Sequence, residues 1–282
     1  MPVYTDELVE TNGYKTHYLD THTGDEVVVL LHGGGPGADA STNWKNFIPG
    51  LADRYRVIAP DLFGFGTTDH PEQGPKFLTG WMRERVNQVI ALLDALGIEK
   101  VRLIGNSAGG ALSMWITEAH PSRVDSLVLM GSAGGQMAHP TPEVLRMATF
   151  YKDPSKDNLK ALTKWMVWDE TDLGDDLDAI VEARFAELQR EDIRRSFTTF
   201  YSAVSLPTEM TLAPGSLRRF TQRVLLVHGL GDRFVPFESS VYLMQQIPDA
   251  QLHVLPNCGH WAQIEKRDQM VHLTRAFFDG EI

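Results

Sequence analysis

The chain has 282 residues, 43% of them hydrophobic and 22% charged. This is ordinary globular composition; it excludes a mostly disordered chain and allows one large domain or two small ones. Lys and Arg number 26 against 37 Asp and Glu, a net charge of −11, and such a field disfavours nucleic acid and anionic membrane as partners.

The N-terminal runs 3–10 and 13–20 flank Asn12-Gly13, a strong hairpin signal, and predict two antiparallel edge strands. Short apolar runs ending at turns follow: Val27–Leu31, Arg56–Ala59, Val101–Ile104, Ser126–Met130, Val224–Val227 and Gln251–Leu255. Continuous β-branched and leucine-rich runs fit strands buried on both faces. Helical spacing marks Arg83–Leu96, Gly109–His120, Ser239–Ile247 and Asp268–Phe278. The alternation predicts an α/β fold, a mostly parallel central sheet flanked by helices. It breaks between 135 and 212, where Asn158–Val167, Leu177–Arg190 and Ile193–Ala203 are helical in pattern. The expected organisation is a core from 1–134 and 213–282, with a helical cap of 135–212 inserted between two strands. No apolar run reaches the ~18–20 residues of a membrane span. The acidic, polar N-terminus is unlike a signal peptide, and the single Cys258 makes no internal disulfide. A cytoplasmic protein is expected.

Gly105-Asn106-Ser107-Ala108-Gly109 is a G-x-S-x-G sequence between a strand and a helix. Only small residues fit such a turn, and it presents the serine as a nucleophile above the sheet, at a helix N-terminus. A serine needs a base, and the base needs an orienting acid. Asp232 and His260 each follow a late strand, where the crevice of an open parallel sheet lies. The order Ser107, Asp232, His260 is that of α/β-hydrolases. Asp61 and Asp69 precede the nucleophile and fit that order worse. His253 reads as structural, and His32 and His228 as supporting residues. Cys258 has no helix N-terminus to activate it and reads as packing behind His260. The loop His32-Gly33-Gly34-Gly35-Pro36-Gly37-Ala38 is of the HGGG type; it assigns one oxyanion donor to the Gly34 N–H and the second to Ala108.

These motifs resemble the meta-cleavage product hydrolases, carbon–carbon bond hydrolases of aromatic catabolism with the α/β-hydrolase fold. The resemblance rests on HGGGPGA at 32–38 with Asn43-Trp44 after it, and on RVIAPDLFGFG at 56–66. It also rests on GNSAGG at 105–110, GDRFVP at 231–236 and CGHWAQ at 258–263. It implies hydrolysis of the C5–C6 bond of an anionic 2-hydroxy-6-oxohexa-2,4-dienoate by Ser107, Asp232 and His260. It further implies that Gly35, Asn43, Asn106 and Trp261 contact the substrate. Within Glu182-Ala183-Arg184-Phe185, Arg184 matches an arginine that binds the acidic end, which a chain of charge −11 requires. Arg190, Arg194 and Arg195 are its rivals. Trp165, Met166, Trp168, Phe185, Phe197, Phe200 and Met210 are candidates for the wall around the C6 group, most of them reading as cap core. Family members often form homodimers or larger homo-oligomers.

A carboxylesterase or lactonase with the same triad is the alternative; it needs no arginine in the cap. A hydrolase-fold ligand receptor is a third reading. Scattered histidines, with no C-x-x-C or H-E-x-x-H, predict no metal, and no organic cofactor is implied.

Overall fold

The computed structural model describes residues 3–137, 139–173, 176–203 and 207–282. Strands β1 (Thr5–Thr11) and β2 (Tyr14–Asp20) pair antiparallel about Asn12 and Gly13, at φ 52° and 84°. Two consecutive left-handed residues are what a two-residue hairpin turn requires. β3 (Val27–Leu31), β4 (Arg56–Pro60), β5 (Val101–Asn106), β6 (Val124–Met130), β7 (Arg223–Gly229) and β8 (Ala250–Leu255) complete a sheet of order β1-β2-β4-β3-β5-β6-β7-β8. All pairs from β4 to β8 are parallel.

Two expectations change here. β2 is not an edge strand: residues Tyr18–Asp20 pair with β4 and are buried, so only β1 lies at that border. β8 is half-exposed rather than covered on both faces, because it forms the other edge.

The continuous apolar runs are explained by the pleat. Leu103, Leu127 and Leu129 face one apolar layer, and their neighbours Ile104, Val128 and Met130 face the other. Helix α1 (Ala40–Trp44) covers the second layer, and α2 (Leu78–Ala95) and α3 (Ala108–Ala119) cover the first. α2 starts before Arg83 because Leu78, Trp81 and Met82 are buried, although Gly80 weakens the local helical signal.

Between β6 and β7 the chain leaves the sheet and forms α4 (Pro142–Ala148), α5 (Lys156–Trp165), α6 (Asp176–Glu187) and α7 (Glu191–Ala203). These helices share an apolar cluster that includes Phe150, Leu162, Val181 and Phe197. Phe234 and Trp261, from the loops after β7 and β8, enter the same cluster. Helices α8 (Pro214–Leu217), α9 (Phe237–Gln246), α10 (Ala262–Glu265) and α11 (Arg267–Phe278) complete the chain. Among the described residues no helix is long and apolar enough to cross a membrane.

Candidate active site

Ser107 joins β5 to α3 at φ 58°, ψ −120°. A non-glycine residue there costs about 1–3 kcal/mol and persists only if its surroundings hold it. The Ser107 N–H donates to Met130 O at 3.0 Å, and its carbonyl accepts from Gly110 and Ala133, each at 3.0 Å. The flanking glycines are required by close approach. A Cβ on Gly105 would collide with the Gly109 carbonyl, and one on Gly109 with the Leu31 carbonyl. Ala108 opens α3, so its N–H lies among those without an intrahelical acceptor, at the positive end of the helix dipole.

His260 Nδ1 lies 2.7 Å from Asp232 Oδ2. The other Asp232 oxygen accepts the N–H groups of Phe234 at 2.8 Å and Val235 at 2.9 Å. These donors hold the carboxylate in one orientation, with its side chain 1% exposed. A carboxylate at Nδ1 keeps the proton there and leaves Nε2 with a free lone pair, the tautomer a general base needs. The Phe234 ring packs on the imidazole at 5.3 Å. The backbone N–H groups of His260 and Trp261 both donate to Met166 O, so the segment between β6 and β7 grips the loop that carries the base.

Ser107 and His260 open onto one cavity of about 240 Å³, which Gly34, Gly35, Asn43, Asn106, Ala108, Arg184 and Trp261 also line. The sequence-predicted substrate residues are therefore brought together, with Asp232 behind His260. Arg184 comes from α6, is 2% exposed, and lies 4.8 Å from the Trp261 ring. Its Nε reaches Thr42 Oγ1 at 3.3 Å, and its Nη2 is buried without a hydrogen-bond partner. Burial pulls this guanidinium down to about 10, so it stays charged at neutral pH. The rivals lie elsewhere: Arg190 pairs with Glu187 and Asp192, Arg195 bonds Pro71 O, and Arg194 stacks on Tyr151.

Asn106 is expected to contact the substrate, and its hydrogen bonds narrow what it can offer. Its amide nitrogen donates to Met130 O and His260 O, both at 3.1 Å, which uses both protons. The buried Oδ1 has no partner. The polar atom that Asn106 has left beside the cavity it lines is thus an acceptor, suited to a hydroxyl and not to a carboxylate. Of the aromatic and methionine candidates, Met166, Phe200 and Met210 line the cavity. Phe197 is core, and Trp168 is exposed. Cys258 is buried beside Glu265, and burial pushes its thiol up, so it is inert. Asp61 binds His17 and the Ala40 N–H, and His228 bonds Ser240 and Val235; neither lines the cavity.

Tyr201 and Asp39 went unmarked in the sequence. Tyr201 sits among aromatic residues at helical spacing, a pattern that reads only as core. Asp39 precedes a helix too short to signal itself; it caps α1 through the Thr42 N–H. Burial and the nearby Asp61 push its carboxyl up to about 6. In the unfolded chain an aspartate titrates near 3.9. Between about pH 4 and 6 the native state holds a proton that the unfolded state has lost, so this contribution to stability is lost as pH rises across that window. Asp39→Asn removes that loss. In urea unfolding, the stability of Asp39→Asn relative to the parent should rise by about 2 kcal/mol between pH 4 and pH 7. A pH-independent difference would show that Asp39 does not titrate there.

A family model for the alpha/beta hydrolase fold matches residues 26–267. The 2-hydroxy-6-oxo-2,4-heptadienoate hydrolase of Pseudomonas putida is 34% identical over 97% of this chain and 96% of its own. Among solved structures, a serine hydrolase from the polyaromatic hydrocarbon-degrading bacterium Cycloclasticus zankles has a TM-score of 0.94 at 36% identity, covering 99% of each chain. The 2-hydroxy-6-oxo-6-phenylhexa-2,4-dienoate hydrolase of a Rhodococcus species has a TM-score of 0.90 at 37% identity, covering 98% of this chain and all of its own. Likeness of sequence and backbone thus extends over nearly the whole chain, and the protein belongs to the α/β-hydrolase family, among the meta-cleavage product hydrolases.

Proposed function

We propose that this chain hydrolyses the C5–C6 bond of 2-hydroxy-6-oxohexa-2,4-dienoates with an apolar, uncharged group on C6, compounds left when an aromatic ring is opened in catabolism. The observation that carries this reading is Arg184: a buried guanidinium with an unpartnered Nη2, on a residue that lines the cavity holding Ser107 and His260. An ordinary ester needs no such cation. A substrate with a carboxylate at one end and a reacting carbonyl at the other does.

In this reading the carboxylate docks on Arg184, and the 2-hydroxyl donates to Asn106 Oδ1. His260 carries the proton from the 2-hydroxyl to C5, which converts the dienol to a ketone. The Ser107–His260 pair then drives attack on C6, and the Gly34 and Ala108 N–H groups take the oxyanion. Collapse breaks C5–C6; the electron pair flows into the C2 keto group, where Arg184 faces the dienolate. His260 returns a proton to the C2 oxygen, and C5 leaves as the terminal CH2 of the diene. The balance is one water consumed, with a carboxylic acid and a 2-hydroxypenta-2,4-dienoate released. Residues 135–212 serve as the cap and residues 1–134 and 213–282 as the core.

The apolar lining of the cavity supports the C6 assignment. Met137, Val144, Met210, Phe234 and Val235 line it, and a second carboxylate there would be desolvated without a partner. Thioether side chains adapt to different shapes, which suits both alkyl and aryl groups. The test follows bleaching of yellow ring-fission dienoates with phenyl, methyl or carboxyethyl C6 groups, beside a nitrophenyl ester. Many turnovers are expected on the first two, with kcat/KM above that for the ester. The carboxyethyl compound should be slower by about tenfold or more, since an unpaired buried charge costs upwards of 1.4 kcal/mol. Ester hydrolysis without bleaching would overturn the reading.

A further inference from the structure

The glycine loop that faces Ser107 has little side-chain mass to hold it, and an oxyanion donor must be held to be effective. Two side chains supply the restraint. His32 Nε2 accepts the Leu62 N–H at 3.0 Å, so the ring proton sits on Nδ1, which donates to Gly33 O at 2.7 Å. Burial pulls this imidazole down to about 4, which keeps it in that neutral form. The Gly33 carbonyl and the Gly34 N–H belong to one planar trans peptide and point in opposite directions. His32 therefore aims the Gly34 N–H from the sheet side.

The next peptide is held from the other side. Tyr201 Oη, on α7, donates to Gly34 O at 2.8 Å. The Tyr201 ring is wedged between Phe197, at 4.5 Å, and Phe200, at 5.0 Å. Arg85 lies behind it, buried, with its guanidinium 4.3 Å from the Phe200 ring. Its Nε donates to Phe63 O and its Nη2 has no hydrogen-bond partner. Burial pushes the Tyr201 phenol up, and the Arg85 charge offsets part of that rise.

We propose that Tyr201 is a positioning residue of the reaction: its hydroxyl clamps the Gly34–Gly35 peptide and makes the oxyanion loop depend on the seating of α7. With His32 on one peptide and Tyr201 on the next, both planes flanking the Gly34 Cα are fixed. Tyr201 touches no reacting atom in this role; it acts through Gly34. The proposal rests on Gly34 being an oxyanion donor, and an ester needs that donor as much as a dienoate does. Its failure is therefore distinguishable from failure of the dienoate assignment.

Tyr201→Phe keeps the aromatic stack and removes one oxygen. Deleting an oxyanion donor costs about 10²–10³ in rate, so loosening one should lower kcat about tenfold. The drop should appear on dienoate and nitrophenyl ester alike, with KM within about twofold. Affinity for a phenylboronic acid, which forms a tetrahedral adduct with the serine, should weaken by about the same factor as kcat. Affinity for benzoate, which forms no such adduct, should not change. Arg85→Met retains the hydroxyl and removes the charge, and should lower kcat in the same direction by a smaller factor. Boronate affinity unchanged in Tyr201→Phe would overturn the proposal, as would a loss confined to the dienoate or a fall in Tm with kcat intact.

Discussion

Ser107→Ala lowers kcat on a ring-fission dienoate by on the order of 10⁴-fold or more, and His260→Ala does the same. The double variant is no worse than either single one, because the two groups act as a unit and the loss of one idles the other. Asp232→Asn should approach the same loss by a different route. Both Asp232 oxygens are committed to donors: one to the Phe234 and Val235 N–H groups, the other to His260 Nδ1. An amide NH₂ must displace one set. If it faces His260, the imidazole is driven to the tautomer that carries its proton on Nε2 and has no lone pair for Ser107. Stopped-flow bleaching and steady-state ester hydrolysis check all four variants. Additive losses in the double variant would show that Ser107 and His260 act separately.

Arg184→Met lowers kcat/KM for the dienoate by roughly 10²–10³, the equivalent of about 3–4 kcal/mol for a charge-assisted pair in a desolvated site. Ester hydrolysis stays within about threefold, since the ester carries no carboxylate for the guanidinium to meet. This contrast separates Arg184 from the residues that serve both reactions. The variant is also not expected to lose stability. Wild-type Arg184 is buried with Nη2 unpartnered, and a methionine keeps apolar bulk against Trp261 while removing a desolvated charge. Removing the cation also withdraws the charge that favours ionised Asp39, which pushes that carboxyl further up. A parallel loss on dienoate and ester would assign Arg184 to the structure of the site rather than to its substrate.

Backbone and hydroxyl contacts from the segment between β6 and β7 reach the site as well. Met166 O accepts from the backbone beside the base, and Tyr201 Oη donates to the glycine loop. That segment thereby touches both the His260 loop and the glycine loop.

Much of this protein was legible in its sequence because the determinants are local. The hairpin turn needs two left-handed residues, and Asn12-Gly13 supplies them. The elbow needs small residues on either side of a serine, and Gly105 and Gly109 supply them. The order of Ser107, Asp232 and His260 follows from strands that each end at the same side of a parallel sheet. Periodicity likewise found the buried strands and the long helices. The rest depends on groups far apart in the chain. Whether Arg184 or Arg190 faces the cavity turns on the rotation of α6 and the helices around it, which packing sets and helical spacing does not. Asn106 reads as a polar substrate contact of either sense until the carbonyls of Met130 and His260 are found on its amide. Tyr201 is one aromatic residue among several until Gly34 O is found 167 residues away. Sequence by itself determined the fold, the nucleophile and its two partners, because turn chemistry and strand order are encoded in neighbouring residues. Only the tertiary structure decided which of these arginines lines the cavity and which side chains bond the glycine loop, because burial and hydrogen-bond direction arise where distant segments pack together.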